Sequence, residues 1–229
     1  MKLIRINDLQ VELEQKRIKN MYLRIVPPDG RIRITAPMKM REEDIIYFVN
    51  TKREWILHQQ EKLERRPVEP LLEFITGERL SIWGSSYTLI LKEARSRPRI
   101  EVIGDEIILY VKPDSTSEQR EKMIMSWYRK ALEAEIPFLL ARWERIIGVS
   151  SSGFHIRDMK TRWGTCNIKT KQICLNLQLA KKPMKCLEYV VVHELVHLLE
   201  RSHNKIFKNY MDQFLPEWRS IKRELNGSE

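Results

Sequence analysis

Residues 189–199, YVVVHELVHLL, place two histidines and a glutamate in a run of otherwise apolar side chains. A helix that is apolar almost all round belongs in a protein interior. Two imidazoles and a carboxylate cost several kcal/mol to bury there unless a partner satisfies them. The chain must therefore fold so that a partner meets these side chains, and one metal ion would satisfy all three together.

The three polar side chains have the spacing His193-Glu194-x-x-His197, which is the pattern of zinc hydrolases. Histidines four residues apart on a helix share one face, so both imidazoles can bind a single zinc ion at ~2.0–2.1 Å. Glu194 lies beside the first histidine and can reach a water on the metal. We predict a zinc-dependent hydrolase in which His193 and His197 bind the metal and Glu194 is the catalytic base.

A third metal ligand is predicted at His203, six residues after His197. A continuous helix would carry this side chain about 600° round and ~9 Å along the axis, too far away to share the metal. The chain must therefore turn near Arg201. We expect Ser202 to cap the next helix and His203 to open it.

Alternating apolar residues predict strands in the N-terminal part of the chain. Residues 22–26 and 31–36 flank a Pro-Pro-Asp-Gly turn, which indicates a hairpin. Residues 41–66 open with acids and repeat apolar side chains at helical spacing, so they predict one helix, closed by Pro67 and Pro70. A second strand-rich stretch follows, with the segments LSIWG, SYTLILKEA, RIEVIG and EIILYVKP.

The two strand-rich stretches resemble each other. In both, the second strand of a hairpin ends in proline, as ITAP at 34–37 and YVKP at 110–113. A helix follows in each case, which begins with acidic residues and contains a tryptophan. The spacing between them is about 76 residues. This pattern indicates either a duplicated β-β-α unit or a chance similarity between two ordinary segments.

A long helix is predicted to begin after Ser117 as its cap and to end at Gly148, with a kink or break at Pro137. Residues 155–180 then predict a β-hairpin with its turn near residues 169–171. Pro183 suits the first turn of the histidine-bearing helix. Two further helices are predicted beyond it, stopped at Pro216 and at Asn226-Gly227.

Composition and charge limit the remaining possibilities. The net charge is +10. Residues 157–185 contain eight basic side chains and one acidic side chain, that of Asp158. This basic segment indicates either an anionic partner or a solvated basic surface. The three cysteines exclude a four-cysteine zinc site. Since no apolar run reaches the length of a signal peptide or a membrane span, we expect a cytoplasmic protein without a membrane partner.

Several segments together resemble the YgjP-like metallopeptidase family, which is related to the SprT-like and WLM zinc proteases. They are Thr161-Arg162-Trp163-Gly164-Thr165-Cys166, Leu175-Asn176, Glu188 to His197, His203 with Phe207, Trp55-Ile56, Phe74 to Gly77, and Trp83-Gly84. The chain departs from the family pattern at Lys208, where the family usually has Trp, and at Thr165, where it usually has Ser.

The resemblance implies an α+β fold. Its N-terminal region, residues 1–112, would be β-rich with one helix. Residues 113–229 would form a zincin-like catalytic region with a β-hairpin and the H-E-x-x-H helix, and the two regions could pack as one domain. The resemblance also implies zinc as the cofactor, with three histidine ligands and a glutamate base.

Three functions remain open. The leading expectation is a metallopeptidase that cleaves peptide or protein substrates. The alternatives are a metal-dependent pyrophosphohydrolase of nucleoside triphosphates such as UTP, and a nucleic-acid-associated protease like the SprT-like relatives, with weak nucleic-acid binding through the basic surface.

Arg162, Trp163 and Gly164 are candidate substrate-binding residues, because their strand could line the cleft and pair with a peptide along its edge. Alternatively, Arg162 is a surface residue, Trp163 belongs to the core and Gly164 marks a bulge. Arg162, His155 and Tyr210 are candidates for stabilising the oxyanion.

Overall fold

The computed structural model describes residues 1–26, 29–64 and 72–227, and within these ranges the chain is mixed α+β, with three small sheets and six α-helices. The α+β class predicted from the sequence is thus confirmed. The chain divides into two units, Met1–Leu71 and Leu72–Glu229. The second unit includes residues 72–112, which the sequence analysis grouped with the N-terminal region.

The first unit contains a four-stranded sheet with the order β1-β2-β4-β3. Its strands are β1 (Lys2–Ile6), β2 (Leu9–Lys16), β3 (Tyr22–Val26) and β4 (Arg31–Pro37). The predicted β3–β4 hairpin is confirmed, although Pro27 and Pro28 of its turn lie outside the described residues. Strands β1 and β2 were not predicted, because charged residues interrupt their alternation. Their buried side chains are Ile4, Ile6, Leu9, Val11, Glu12 and Leu13.

Two helices replace the single helix predicted for residues 41–66, namely α1 (Glu42–Thr51) and α2 (Arg53–Glu64). The prediction of one helix is wrong. The Thr51 hydroxyl donates to the carbonyl of Phe48 at 2.8 Å, a bond that bends helices, and Lys52 leaves the helical conformation. The predicted stops at Pro67 and Pro70 lie outside the described residues.

The second unit begins with a sheet that has the same topology as the first. Strands β5 (Arg79–Ile82), β6 (Ser85–Glu93), β7 (Arg99–Ile103) and β8 (Glu106–Val111) lie in the order β5-β6-β8-β7. In each sheet the central pair is parallel and the two outer pairs are antiparallel. Corresponding strands start 75 to 77 residues apart. The repeated hairpin noted in the sequence is therefore part of a repeated four-stranded sheet.

A kink or break was predicted at Pro137, and helix α3 (Ser117–Ile147) runs through this residue without a break. Buried side chains on both sides of the proline hold the helix against the core of the second unit: Ile124, Tyr128, Leu132, Ile136, Leu140, Trp143 and Ile147. Its N-cap is Thr116 rather than Ser117, in a reciprocal pair of hydrogen bonds with Gln119. Gly148 ends it in the left-handed conformation, as predicted.

A three-stranded sheet precedes the histidine-bearing helix. Strands β9 (Gly153–Arg157), β10 (Gly164–Asn167) and β11 (Gln172–Asn176) lie in the order β10-β11-β9, so β10 is an edge strand. The predicted hairpin is confirmed as β10–β11. Its second strand was expected to continue to Leu179, but it ends at Asn176, whose side chain caps a 3-10 helix, Leu177–Lys181.

The chain closes with three helices, α4 (Met184–Val196), α5 (Lys205–Phe214) and α6 (Trp218–Leu225). Helix α4 is buried as its apolar sequence predicts, and it packs against α3, α5, α6 and the third sheet. Among the described residues, none of the helices combines the length and the apolar character that a membrane span requires.

Candidate metal site and substrate cleft

The three predicted histidines lie together at the end of α4. His193 is in the last turn of this helix, His197 is its C-terminal cap, and His203 lies in the loop before α5. One ring nitrogen of each imidazole is a possible metal ligand, and these three nitrogen atoms lie within 4.8 Å of one another. The Nε2 atoms of His193 and His203 are 2.9 Å apart. The structure therefore brings together the residues that the spacing singled out.

The loop between α4 and α5 contains the turn that the third ligand requires. The backbone N–H groups of Leu199 and Glu200 both donate to the carbonyl of Val196, which closes the end of α4. Asn204, and not Ser202, is the N-cap of α5, and its side chain accepts from the N–H of Phe207 at 3.0 Å. The predicted cap was wrong by two residues, because Ser and Asn serve almost equally well as caps. His203 consequently precedes the helix instead of opening it.

Phe207 supports all three imidazoles. This buried ring lies 4.9 Å from His193, 4.8 Å from His197 and 4.8 Å from His203, measured between ring centroids. The three imidazoles lie 4.7 to 4.9 Å from one another by the same measure. Phe207 is therefore a positioning residue for the three imidazoles. It lies in the first turn of α5, so it connects the start of this helix to the histidine cluster.

Burial favours the neutral form of the three imidazoles. It lowers the pKa of His193 to about 3, with smaller contributions from the two neighbouring histidines and Lys222. Burial also lowers the pKa of His197, against opposing hydrogen bonds to the backbone of Glu200 and Arg201. The pKa of His203 is lowered by burial first and then by His197. Neutral imidazole is the form that binds a metal ion.

The hydrogen bond of the His197 imidazole fits a metal site. Nδ1 of His197 lies 3.1 Å from the carbonyl oxygen of Glu200, which leaves Nε2 free to bind an ion. A backbone carbonyl on the second ring nitrogen is the usual arrangement for a metal-binding histidine. Within the described part of the chain, Nδ1 of His193 is buried without a hydrogen-bond partner. The three nitrogen donors would hold a zinc ion with a fourth position left for water, as in catalytic zinc sites.

Glu194 is a buried carboxylate beside the histidines, with 4% of its surface exposed. Burial raises the pKa of this carboxyl to about 8, and the positive charge of Arg162 opposes the shift. The side chain lies against Gly164 at the start of β10, where a Cβ atom would come within 2.6 Å of Oε1 of Glu194. The absence of a side chain at residue 164 therefore makes room for the carboxylate.

The candidate substrate-binding residues lie around this carboxylate. Gly164 lines both of the pockets that flank the histidines, and it pairs with Leu175 in regular register rather than at a bulge. Trp163 lines the first pocket and donates from Nε1 to Oδ1 of Asn226 at 3.1 Å. Arg162 lines the second pocket. The other two oxyanion candidates, His155 and Tyr210, line neither pocket.

The two pockets form one cleft across the histidine cluster, since Gly164, His193, Glu194 and His203 line both. The first has a volume of about 380 Å³ and the second about 750 Å³. Helix α6 contributes side chains to the first pocket that sequence reasoning missed, Trp218, Lys222 and Leu225. Their shared helical face was visible in the sequence, but its place beside the histidines depends on tertiary packing.

Comparison with known families places the chain among the metallopeptidases, since the family model described as YgjP-like, metallopeptidase domain matches residues 19–228. The match covers nearly the whole chain. This chain belongs to the YgjP-like family.

Two solved structures of metallopeptidase zymogens are similar to part of the chain. Abylysin of Pyrococcus abyssi is 22% identical, and the match covers 39% of this chain and 90% of that chain with a TM-score of 0.37. Jannalysin of Methanocaldococcus jannaschii is also 22% identical, with coverages of 40% and 94% and a TM-score of 0.36. A search of curated protein sequences returned no match.

Proposed function

We propose that this metallopeptidase-family protein hydrolyses peptide bonds with a zinc ion held by His193, His197 and His203, and with Glu194 as the general base. The observation that carries the proposal is the convergence of three imidazoles beside one buried carboxylate in an open cleft. Three nitrogen donors with no thiolate or second carboxylate are a donor set that suits zinc.

When bound, zinc supplies Lewis acidity that polarises the scissile carbonyl and acidifies the attacking water. Glu194 accepts the proton of that water and returns it to the leaving amine. The positive charge of Arg162 opposes the rise that burial causes in the pKa of Glu194, and so favours the ionised carboxylate that this step requires. Burial of the carboxylate keeps bulk water away from the proton while it is transferred.

The peptide itself would bind along β10. This strand is the edge of its sheet, so the side away from β11 has unpaired backbone groups that can bind an extended chain. The close approach of Gly164 to Glu194 would then bring a peptide bond near the base. Arg162, which lines the same cleft, is the candidate to stabilise the oxyanion.

Hydrolysis of a nucleoside triphosphate such as UTP is the second candidate function. One observation favours it, namely that Arg162, Lys169 and Arg201 line the larger pocket beside the histidines. Guanidinium and ammonium groups are the usual protein ligands of phosphate.

The experiment incubates the zinc-loaded protein separately with unfolded casein and with UTP. We expect casein to be cleaved, and cleavage to be abolished in Glu194→Gln, which keeps the shape of the side chain but cannot accept the proton. Glu121→Gln, the same change at an exposed residue of α3, is the matched control and should cleave like the wild type. Cleavage that persists in Glu194→Gln contradicts the mechanism, and release of pyrophosphate from UTP without casein cleavage favours the second candidate.

A further inference from the structure

The cleft across the histidine cluster has an excess of positive charge. Five cationic side chains line its two pockets: Arg162, Lys169 and Arg201 in the larger one, and Lys208 and Lys222 in the smaller one. Among the described residues that line either pocket, Glu194 is the only one with a carboxylate. Glu200 lines neither, and its carboxylate accepts from the backbone N–H of Ser202 at 2.9 Å.

Within the described residues these five cations have no salt-bridge partner, although the charge of Arg162 acts on Glu194. Across the described residues, none of them forms an ion pair, and all five are exposed. Other cations of the same unit are paired, such as Lys185 with Glu224 at 2.7 Å and Arg142 with Glu188 at 3.1 Å. Five unpaired cations therefore lie where a substrate would bind, and a zinc ion would add to their charge.

The two pockets differ in the side chains that form their walls. The smaller pocket has an aromatic and apolar wall made of Trp163, Tyr189, Val190, Phe207, Trp218 and Leu225. The ammonium of Lys222 lies 5.9 Å from the centre of the Trp218 ring, so a cation stands beside this apolar wall. The larger pocket lacks such a wall and contains Thr165, Cys166, Asn167 and Ile168 beside its three cations.

A peptide along β10 would pass from one pocket to the other, because Gly164 lines both and Asn167, at the other end of the strand, lines the larger pocket. Such a peptide would insert one side chain into the aromatic pocket and extend its next residues past Arg162, Lys169 and Arg201. Opposite charge in a cleft of this kind raises both the affinity and the rate of association.

We propose that the cleft selects acidic peptides, with a large apolar residue in the aromatic pocket and aspartate or glutamate residues on the far side of the scissile bond. This inference rests on the proposed peptidase function and names its substrate class. Charge reversal at the cleft and high ionic strength should each weaken the preference, since exposed charges are screened by salt.

The test measures binding and cleavage separately. Fluorescence anisotropy gives the Kd of zinc-loaded Glu194→Gln protein for a labelled peptide with a central Phe and glutamates on both sides. The matched peptide has glutamine in place of every glutamate. At low ionic strength we expect the acidic peptide to bind at least about tenfold more tightly, and the ratio to fall toward one at high salt. Equal affinity for the two peptides at low salt overturns the inference.

Matched variants locate the effect in the cleft. Lys169→Glu with Arg201→Glu reverses two charges in the larger pocket, and Lys130→Glu with Arg145→Glu makes the same change in net charge on exposed residues of α3. We expect only the first pair to remove most of the preference, with circular dichroism to confirm that both variants are folded. An equal loss in both pairs overturns the inference, because net charge alone would then explain it.

Cleavage by the wild-type protein separates this inference from the proposed function. Cleavage of both peptides with the same kcat/KM contradicts acidic selectivity but leaves the peptidase function in place. Preferential binding of the acidic peptide without cleavage of any peptide supports the selective cleft and contradicts the peptidase function. UTP that competes for the cleft while the two peptides bind equally overturns the inference in favour of a nucleotide.

Discussion

Replacement of Gly164 by alanine tests the contact between β10 and the proposed base. The new Cβ would lie 2.6 Å from Oε1 and 2.9 Å from Cγ of Glu194, and 2.8 Å from Cγ1 of Val190. Ordinary contacts begin at 3.4 Å, so the carboxylate oxygen must move by about 0.8 Å. Gly164 has no positive φ, so the effect is steric and does not come from backbone strain.

The movement should affect catalysis more than stability. Crowding of this kind costs about 1–3 kcal/mol of the free energy of unfolding. A catalytic group misplaced by about 1 Å can cost about 100-fold in rate, which corresponds to about 2.7 kcal/mol in the barrier. We therefore expect Gly164→Ala to lower kcat by about 100-fold while the protein remains folded and keeps its metal.

The assay is casein hydrolysis, with the zinc content and the urea unfolding curve measured on the same sample. Ile124→Val is the control for a loss of stability alone, because Ile124 is fully buried in α3 and the change should cost about 1 kcal/mol without a change in kcat. A Gly164→Ala protein with the wild-type kcat would refute the placement of Glu194 against this glycine.

Three further substitutions test other parts of the second unit. Tyr128→Phe should raise the free energy of unfolding by about 1 kcal/mol, because the Tyr128 hydroxyl is buried without a hydrogen-bond partner. Burial also raises the pKa of Tyr128 to about 12, so the wild-type protein should lose stability as the pH rises above 10 and the variant should lose less, as urea unfolding at several pH values will show. Asn176→Ala should cost about 2–4 kcal/mol in the same measurement, because the buried amide donates to the carbonyls of Met159 and Arg162, both at 2.7 Å. Phe207→Ala should weaken zinc binding by about tenfold in a competition titration, because this ring packs against all three imidazoles.

The site could be predicted from the sequence to the extent that it depends on local spacing. His193, Glu194 and His197 belong to one helical segment, so helical geometry relates their positions directly. His203 required a further step, the recognition that a continuous helix would carry it too far away. The cap of α5 was misplaced because two good N-cap residues, Ser202 and Asn204, lie close together.

Features that depend on packing between distant segments could not be predicted in this way. Pro137 breaks an isolated helix, but the buried face of α3 outweighs the missing hydrogen bond. Strand β1 buries the alternate residues Ile4 and Ile6, but β2 buries Val11, Glu12 and Leu13 in succession, and the charged side chains obscure the pattern in both. Helix α6 contributes Lys222 to the cleft although it lies far along the chain from α4.

The most direct test of the account is a zinc titration of the wild-type protein and of His203→Ala, with total zinc measured on each. His155→Ala is the matched control, since this exposed histidine of β9 lies outside the cluster. We expect about one zinc per chain in the wild type and in the control, and an affinity at least about 100-fold lower in His203→Ala. An unchanged zinc affinity in His203→Ala would contradict the three-histidine site.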